Sequence, residues 1–192
     1  MRSNFFKAAC LLLCIAAGGA SLSAQRNSSQ RINGTVVGIS GRYAGNSRPF
    51  SLIINNYTTG GQLSELNTAL QRGEDDLLRT LSRMKAGRIQ INNGVGVTAN
   101  AIIATPWESG TKLTVLYQRN INFYELRYGT RSEDYKFGYA EIYLDSSGKG
   151  QGSWFPAARV NLKNGNTWEV EDFGVFPARL MGLRSTGQVT AR

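Results

Sequence analysis

The segment from Tyr135 to Leu144 combines residue types that can bind a ligand. If this segment is a strand, successive side chains point to opposite faces of the sheet. One face then carries Tyr135, Phe137, Tyr139, Glu141 and Tyr143, and the other carries Lys136, Gly138, Ala140, Ile142 and Leu144. Aromatic rings beside a carboxylate can form a platform for stacked sugar rings, with Glu141 accepting hydrogen bonds from hydroxyl groups. Because aromatic residues also favour strands for packing alone, ordinary packing is the competing interpretation.

The three tryptophans, Trp107, Trp154 and Trp168, each lie close to a predicted turn or strand end. In such a place an amphipathic indole ring can line a cleft or cover a core. Trp154 is followed by Phe155, so one of these two rings points away from the core if the strand is regular. The candidate ligand-binding residues are therefore Tyr135, Tyr139, Glu141, Tyr143, Trp107 and Trp154.

The chain contains no histidine, which excludes Ser-His and Cys-His catalytic pairs, histidine-ligated metals and a histidine pH switch. A pair of carboxylates, as in glycoside hydrolases, is the familiar catalytic machinery that remains. The strand-borne candidates for such a pair are Glu125, Glu141, Glu169, Glu171 and Asp172. Glu169 and Glu171 share a face about 7 Å apart, but a solvated face with acids paired to arginines has the same spacing. We therefore assign no catalytic residue and favour a protein that is not an enzyme.

Two kinds of loop invite comparison with known ligand sites. The loop from Asp145 to Gly150 begins like a calcium loop, but Lys149 and Gln151 occupy expected ligand positions and no glutamate closes the loop. The glycine-rich stretches 34–41 and 92–96 lack the Lys and Ser/Thr of a phosphate-binding loop. A tight hairpin turn explains the Asp145 loop, and a turn or bulge explains Gly94 and Gly96, so no metal site and no cofactor are predicted.

The N-terminus has the layout of a secretory signal peptide. Arg2 and Lys7 precede an apolar run over 8–17 and the small residues of 18–20. The run is shorter than the about 20 apolar residues of a transmembrane helix, so we do not expect an integral membrane protein. Cleavage after Ala20 or Ala24 both fit, and Ala24 is preferred because a polar segment covers 25–30. We predict a signal peptide over 1–24 and a secreted or periplasmic mature protein, without either cysteine.

The charge of the chain is positive and dispersed. The net charge is +9, and removal of Arg2 and Lys7 lowers it to +7. No polybasic run is present, which argues against a specific nucleic-acid groove. A general affinity for an anionic envelope surface is compatible with this charge.

The rest of the chain alternates short apolar runs with turn residues, the pattern of a mainly β protein. A helical pattern covers about 62–86 and is interrupted at Gly73, which indicates either two short helices or one kinked helix. We predict a single β-rich domain over 31–192, built as an antiparallel β-barrel or a two-sheet sandwich of about ten strands. The predicted strands are 32–39, 50–57, 88–91, 98–105, 112–118, 122–128, 135–144, 152–162, 167–172 and 178–184.

Four segments of the C-terminal half carry a resemblance to known sequences. They are Tyr128–Tyr135, Gly148–Gly152, Phe155–Arg159 and Glu171–Leu180. On these segments, and more weakly on the helical pattern, the chain resembles an uncharacterised family of secreted bacterial β-rich proteins. The resemblance implies an exported bacterial protein, and it carries no activity, cofactor or site residue.

These observations favour an exported, non-enzymatic β domain that acts as a binding or structural module of the cell envelope or extracellular space. A glycan or another small ligand at the aromatic strand is the first hypothesis. A small barrel around an apolar ligand would need an internal cavity of about 300 Å³ or more. A carboxylate-dependent glycoside hydrolase is the third hypothesis, and a purely structural role would require a contiguous exposed apolar patch. The orientation of the two faces of Tyr135–Leu144 discriminates between these roles. An aromatic face that opens on solvent favours ligand binding, and an aromatic face that packs against the rest of the protein favours a packing role.

Overall fold

The computed structural model describes residues 29–39, 44–119, 134–163, 167–172 and 178–187. Within these ranges the chain forms ten strands and two helices. The strands are β1 Gln30–Gly38, β2 Ser47–Ile54, β3 Gly87–Ile91, β4 Val97–Ala99, β5 Ala101–Trp107, β6 Gly110–Gln118, β7 Phe137–Leu144, β8 Lys149–Lys163, β9 Thr167–Asp172 and β10 Ala178–Thr186. The helices are α1 Gly60–Arg72 and α2 Glu74–Ser82. The predicted strand 122–128 lies outside the described residues.

The ten strands form one antiparallel sheet that curls into a nearly closed barrel. Its strand order is β4-β3-β2-β1-β10-β8-β7-β6-β5, and β9 pairs with β8 outside this path. The strands at the two ends of the order, β4 and β5, follow each other directly in the chain. The mainly β prediction is thus confirmed, and of its two architectures the barrel is the one observed.

Asn100 divides the predicted strand 98–105 into β4 and β5. Its backbone N–H donates to the carbonyl of Leu116 on β6 at 3.1 Å, and its carbonyl accepts from Ala86 at 3.2 Å. These bonds direct the chain from the β3 side of the barrel to the β6 side. The sequence predicts a single strand because the apolar pattern continues through Asn100. The strand is divided there because the hydrogen bonds of Asn100 to residues distant in the sequence change the direction of the chain.

The aliphatic face of β7 points into the barrel. Ala140, Ile142 and Leu144 belong to the interior core, and the ring of Tyr117 occupies the space beside Gly138. The largest inward-pointing side chains form one packed cluster, which includes Ile32, Val36, Phe50, Leu52, Ile89, Ile102, Leu113, Val115, Leu180 and Leu183. The hydrophobic interior of the barrel is therefore filled by side chains from nearly every strand.

The helices cover part of the outer face of the sheet. Thr59 and Gln62 form a capping box at the start of α1, and Gly73, with φ of 130°, separates α1 from α2. Of the two predicted arrangements, two short helices are observed. Their buried leucines pack in a second cluster against side chains of β6, β7 and β8, including Leu66, Leu70, Leu77, Leu81, Leu116, Phe137, Tyr139 and Val160. Neither helix has the length and apolar character needed to cross a membrane.

Strand β8 approaches β7 closely at two glycines. A Cβ atom on Gly150 would lie 1.8 Å from the carbonyl oxygen of Tyr143, and one on Gly152 would lie 2.2 Å from that of Glu141. Such close approach to the neighbouring backbone is possible only without a side chain. The two glycines therefore shape the sheet beside the residues of the aromatic strand.

Gly152→Ala is expected to lower the free energy of unfolding by about 2 kcal/mol, because the new methyl group meets rigid backbone. Urea unfolding monitored by tryptophan fluorescence measures the change. Gly61→Ala is the matched control: open space surrounds Gly61 in α1, so alanine there should stabilise by about 0.5 kcal/mol through helix propensity. Equal effects of the two substitutions would contradict the close approach at Gly152.

Candidate functional site

The aromatic face of β7 lies on the outside of the barrel and is divided into a covered and an open part. Phe137 and Tyr139 are buried in the cluster beneath the helices. Glu141 and Tyr143, further along the strand, lie outside that cluster and are partly exposed. The face is therefore a packing surface at one end and an accessible surface at the other.

Glu141 connects the two parts through three donors. The hydroxyl of Tyr139 donates to its Oε1 at 2.6 Å, and the hydroxyl of Tyr143 donates to its Oε2 at 2.8 Å. Lys112 on the neighbouring strand β6 places its Nζ 2.6 Å from Oε1. Since both oxygens are engaged, the carboxylate fixes the positions of two tyrosine rings and one ammonium group.

The electrostatics of this network favour an ionised Glu141. Burial alone raises the pKa of Glu141, but the hydrogen bonds from Lys112, Tyr139 and Tyr143 and the charge of Lys112 outweigh burial, so the pKa lies below its ordinary value. Burial and the hydrogen bond to Glu141 raise the pKa of Tyr139. At neutral pH the network thus consists of a carboxylate, an ammonium group and two neutral phenols.

Trp107 stands beside Tyr143 at the edge of this network. The two rings meet edge to face, with centroids 4.8 Å apart and an interplanar angle of 63°. A Cβ on Gly110, which pairs with Trp107, would lie 2.0 Å from the carbonyl of Leu144, so this glycine lets the end of the β5–β6 hairpin approach β7. Trp107 remains 39% exposed, unusually high for a tryptophan.

An open cleft of about 560 Å³ lies next to these two rings. Its lining combines apolar and polar side chains from β5, β7, β8, β10 and the β7–β8 turn: Trp107, Tyr143, Asp145, Lys149, Gln151 and Met181, with two glycines. Asp145 Oδ1 accepts from Ser147 N at 2.8 Å and from Lys149 N at 3.0 Å, which holds the turn in place. The cleft has the size and the mixed lining of a small-molecule site.

Two of the predicted site residues lie elsewhere. Tyr135 precedes β7, is buried, donates to Glu171 Oε1 at 2.6 Å and lies beneath the guanidinium of Arg159. Trp154 packs against the interior core and donates from Nε1 to the hydroxyl of Tyr117 at 2.9 Å. The ring that points outward at this place is Phe155, which packs beside Tyr139. The fold therefore brings together Tyr139, Glu141, Tyr143 and Trp107, and separates Tyr135 and Trp154 from them.

Five residues of the site were not predicted as site residues from the sequence: Lys112, Asp145, Lys149, Gln151 and Met181. Lys112 and Gln151 are the direct cross-strand neighbours of Tyr143 on β6 and β8. Their proximity depends on strand register, which a single sequence does not reveal. Asp145 was interpreted as a turn residue, and it does hold a turn.

Among the acids considered for glycoside hydrolysis, three have described contacts, and each of the three lies near a cation. Glu169 lies 3.5 Å from Lys163, Glu171 lies 4.0 Å from Arg159, and Glu141 binds Lys112. A general acid needs a raised pKa, and that of Glu141 is lowered. Glu125 and the side chain of Asp172 lie outside the described residues. The described part of the chain also contains no group of three or more potential metal-ligating side chains.

Burial raises the pKa of Glu74, in the first turn of α2, although Arg159 opposes the shift. Its Oε1 lies 3.4 Å from Arg159 Nε and accepts no hydrogen bond within the described residues. Arg159 also faces Glu171, so the cation is shared between two carboxylates. This arrangement links α2 to β8 and β9 and lies apart from the cleft.

Fold and cleft together define a barrel-like β protein with a helical cover on one side and an open, mixed-polarity cleft on the outer face. Comparison with protein families, with curated protein sequences and with solved structures gives no match for this chain. The chemistry of the site itself is therefore the basis for a function.

Proposed function

We propose that this chain is an exported, non-enzymatic β-barrel-like protein that binds a carbohydrate in the cleft beside Trp107. The observation that carries the proposal is the exposed indole of Trp107 held against Tyr143 at the mouth of that cleft. A sugar ring presents an apolar C–H face and a rim of hydroxyl groups. An exposed aromatic pair offers the apolar face a partner of matching size.

The polar lining supplies the complementary hydrogen bonds. Gln151 offers both a donor and acceptor, Lys149 offers donors, and Asp145 offers acceptors. The hydrogen bonds described for Asp145 go to Oδ1, so Oδ2 is the oxygen that we expect to accept from a ligand hydroxyl. A small number of polar groups around an apolar platform can orient a ligand and give specificity, even where the pocket is not deep.

The Glu141 network prepares the cleft for binding. Tyr143 is held by Glu141 on one side and by Trp107 on the other, and Lys112 lies 5.6 Å from the centre of its ring. A ring that is already ordered loses little conformational freedom when a ligand binds. The carboxylate thus acts on the proposed site as a positioning group.

The competing binding and structural roles have less support. The inward-pointing side chains form one packed cluster, whereas an apolar ligand would need space at that place. Among the described residues, the large apolar side chains that are exposed are Ile39, Val95, Trp107 and Met181. Of these four side chains, Trp107 and Met181 line a common surface, and that surface is the cleft. Export rests on the signal-like N-terminus and places the proposed ligand in the envelope or outside the cell.

Trp107→Ala is expected to weaken saccharide binding roughly thirtyfold, the effect of removing a central aromatic contact. The measurement is isothermal titration with neutral and acidic oligosaccharides selected by a glycan array probed with the wild-type protein. Val95→Ala is the matched control, because Val95 is an exposed apolar residue outside the cleft. Equal affinities of wild type and Trp107→Ala, or an array without any bound saccharide, would contradict the proposal.

A further inference from the structure

The charges of the barrel are distributed unequally between its strands. Strands β1, β2, β3, β4 and β10 contain no aspartate or glutamate, and they carry five arginines. The ion pairs among the described residues lie on the other strands, on the helices and at Lys136, directly before β7. These five described strands are therefore basic, without an acid of their own.

Three of these arginines and one lysine form a continuous line on the outer face, here called the cation track: Lys149, Arg184, Arg31 and Arg88. All four are exposed, and the adjacent residues Ile32, Leu183 and Ile89 are buried in the barrel, so the arginines point outward. Arg88 Nη1 donates to the carbonyl of Val95 at 2.9 Å, which orders the far end of the track.

Strand register sets the spacing of the track. Lys149 and Arg184 are direct cross-strand partners, about 5 Å apart. Arg31 pairs with Thr186 and is the diagonal neighbour of Arg184, at about 7–8 Å. Arg31 and Arg88 both pair with Ile53 from opposite sides, which places them about 10 Å apart. The track thus crosses about 20 Å of sheet from β8 to β3.

The pairing of Lys149 with Arg184 is unfavourable by itself, because like charges directly opposite each other destabilise a sheet. At the cleft end, the negative charge of Asp145 offsets the positive charge of Lys149. The strands that carry Arg184, Arg31 and Arg88 contain no acid that could offset the charges of these arginines. A bound polyanion would relieve this repulsion. Lys149 belongs to both the cleft and the track, so the two surfaces are continuous.

We propose that the carbohydrate bound by this protein is an acidic polysaccharide, whose carboxylate or sulfate groups lie along the cation track while one sugar unit occupies the cleft. This inference rests on the proposed carbohydrate-binding function. The length of the track suits a chain of several sugar units. Guanidinium groups bind carboxylates and sulfates through paired hydrogen bonds, which favours arginine at these positions.

The test compares binding of polygalacturonate, heparin and neutral dextran to four proteins: wild type, Arg31→Gln/Arg184→Gln, Trp107→Ala and Arg79→Gln/Arg83→Gln. The last variant removes the same net charge from helix α2 and the residue after it. We expect Arg31→Gln/Arg184→Gln to weaken binding of at least one acidic polysaccharide about tenfold at low ionic strength. Arg79→Gln/Arg83→Gln should change it less than twofold, and salt should weaken the wild-type interaction.

The outcomes separate this inference from the function on which it rests. If Trp107→Ala weakens saccharide binding but the track variant binds acidic polysaccharides like wild type, the track is rejected and the cleft stands. If no saccharide of any charge binds, the proposed function and the inference both fail. Binding to anionic phospholipid vesicles and to single-stranded DNA is measured in the same way. If Arg31→Gln/Arg184→Gln weakens either of these interactions more than it weakens polysaccharide binding, the inference is also overturned, because the cation track then binds another polyanion.

Discussion

Glu141→Ala is expected to lower the free energy of unfolding by about 3 kcal/mol at neutral pH. The substitution removes an acceptor that receives hydrogen bonds from Tyr139 and Tyr143 and an ion pair with Lys112. Hydrogen bonds to a charged group each contribute about 1.5–3 kcal/mol, and the remaining partners compensate only in part through solvent. The buried hydroxyl of Tyr139 contributes most to the loss, because solvent does not reach it easily.

The effect should depend on pH in one direction. The pKa of Glu141 is lowered in the folded protein, so the carboxylate stabilises the fold at pH values above its ordinary pKa of 4.5. This contribution disappears as the pH falls through the lower, folded-state pKa. The difference in stability between wild type and Glu141→Ala should therefore be constant near neutral pH and shrink progressively in acid.

Urea unfolding of both proteins at a series of pH values between about 3 and 8 measures this difference. Glu169→Ala is the matched control: Glu169 also lies on a strand near a lysine, but both side chains of its pair are more than half exposed. Its effect should stay below about 0.5 kcal/mol. A pH-independent effect of Glu141→Ala, or an effect no larger than that of Glu169→Ala, would contradict the network.

Asn100→Ala is expected to lower the free energy of unfolding by about 4 kcal/mol, the largest effect among the substitutions considered. The buried side chain accepts from the N–H of Gln118 at 2.8 Å and donates to the carbonyl of Met84 at 3.0 Å. The two hydrogen bonds of Asn100 therefore connect β6 to the end of the helical segment, at the position where β4 continues into β5. Alanine leaves both backbone groups without a partner, and each costs about 1–3 kcal/mol.

Thermal and urea unfolding give the size of this loss, and hydrogen exchange locates it. The amide of Gln118 should exchange faster in Asn100→Ala than in wild type, because its acceptor is removed. Asn161→Ala, at an exposed position of β8, serves as the control and should change stability by about 0.5 kcal/mol or less. Similar stabilities of the two variants would show that Asn100 does not join the edges of the barrel.

Local patterns predicted the secondary structure well. Alternating apolar residues indicated most strands, and the leucine spacing with an interruption at Gly73 indicated the helical region. Asn164-Gly165, between the predicted strands 152–162 and 167–172, is a strong signal for a hairpin turn. The antiparallel pairing of β8 with β9 agrees with that signal, although the two residues themselves lie outside the described residues. The division at Asn100 was not predicted, because its cause lies in contacts with Leu116, Met84 and Gln118, distant in the sequence.

The site was predictable only in part. Alternation along β7 correctly groups Tyr139, Glu141 and Tyr143 on one face, since that grouping follows from backbone geometry alone. It does not say that helices bury Tyr139 while Tyr143 stays accessible. Tyr135 falls outside the regular strand, and a register irregularity between Phe137 and Tyr139 ends the simple alternation there.

The amino-acid sequence alone therefore determined a histidine-free, basic, strand-rich chain, with one aromatic and one aliphatic face on the predicted strand 135–144. Only the tertiary structure decided that the aliphatic face points into a barrel, that Trp107 meets Tyr143 and that Lys112 binds Glu141. It also decided that Lys149, Arg184, Arg31 and Arg88 form one line. The reason is that local patterns act through neighbouring residues, whereas faces and partners depend on register between strands far apart in the chain.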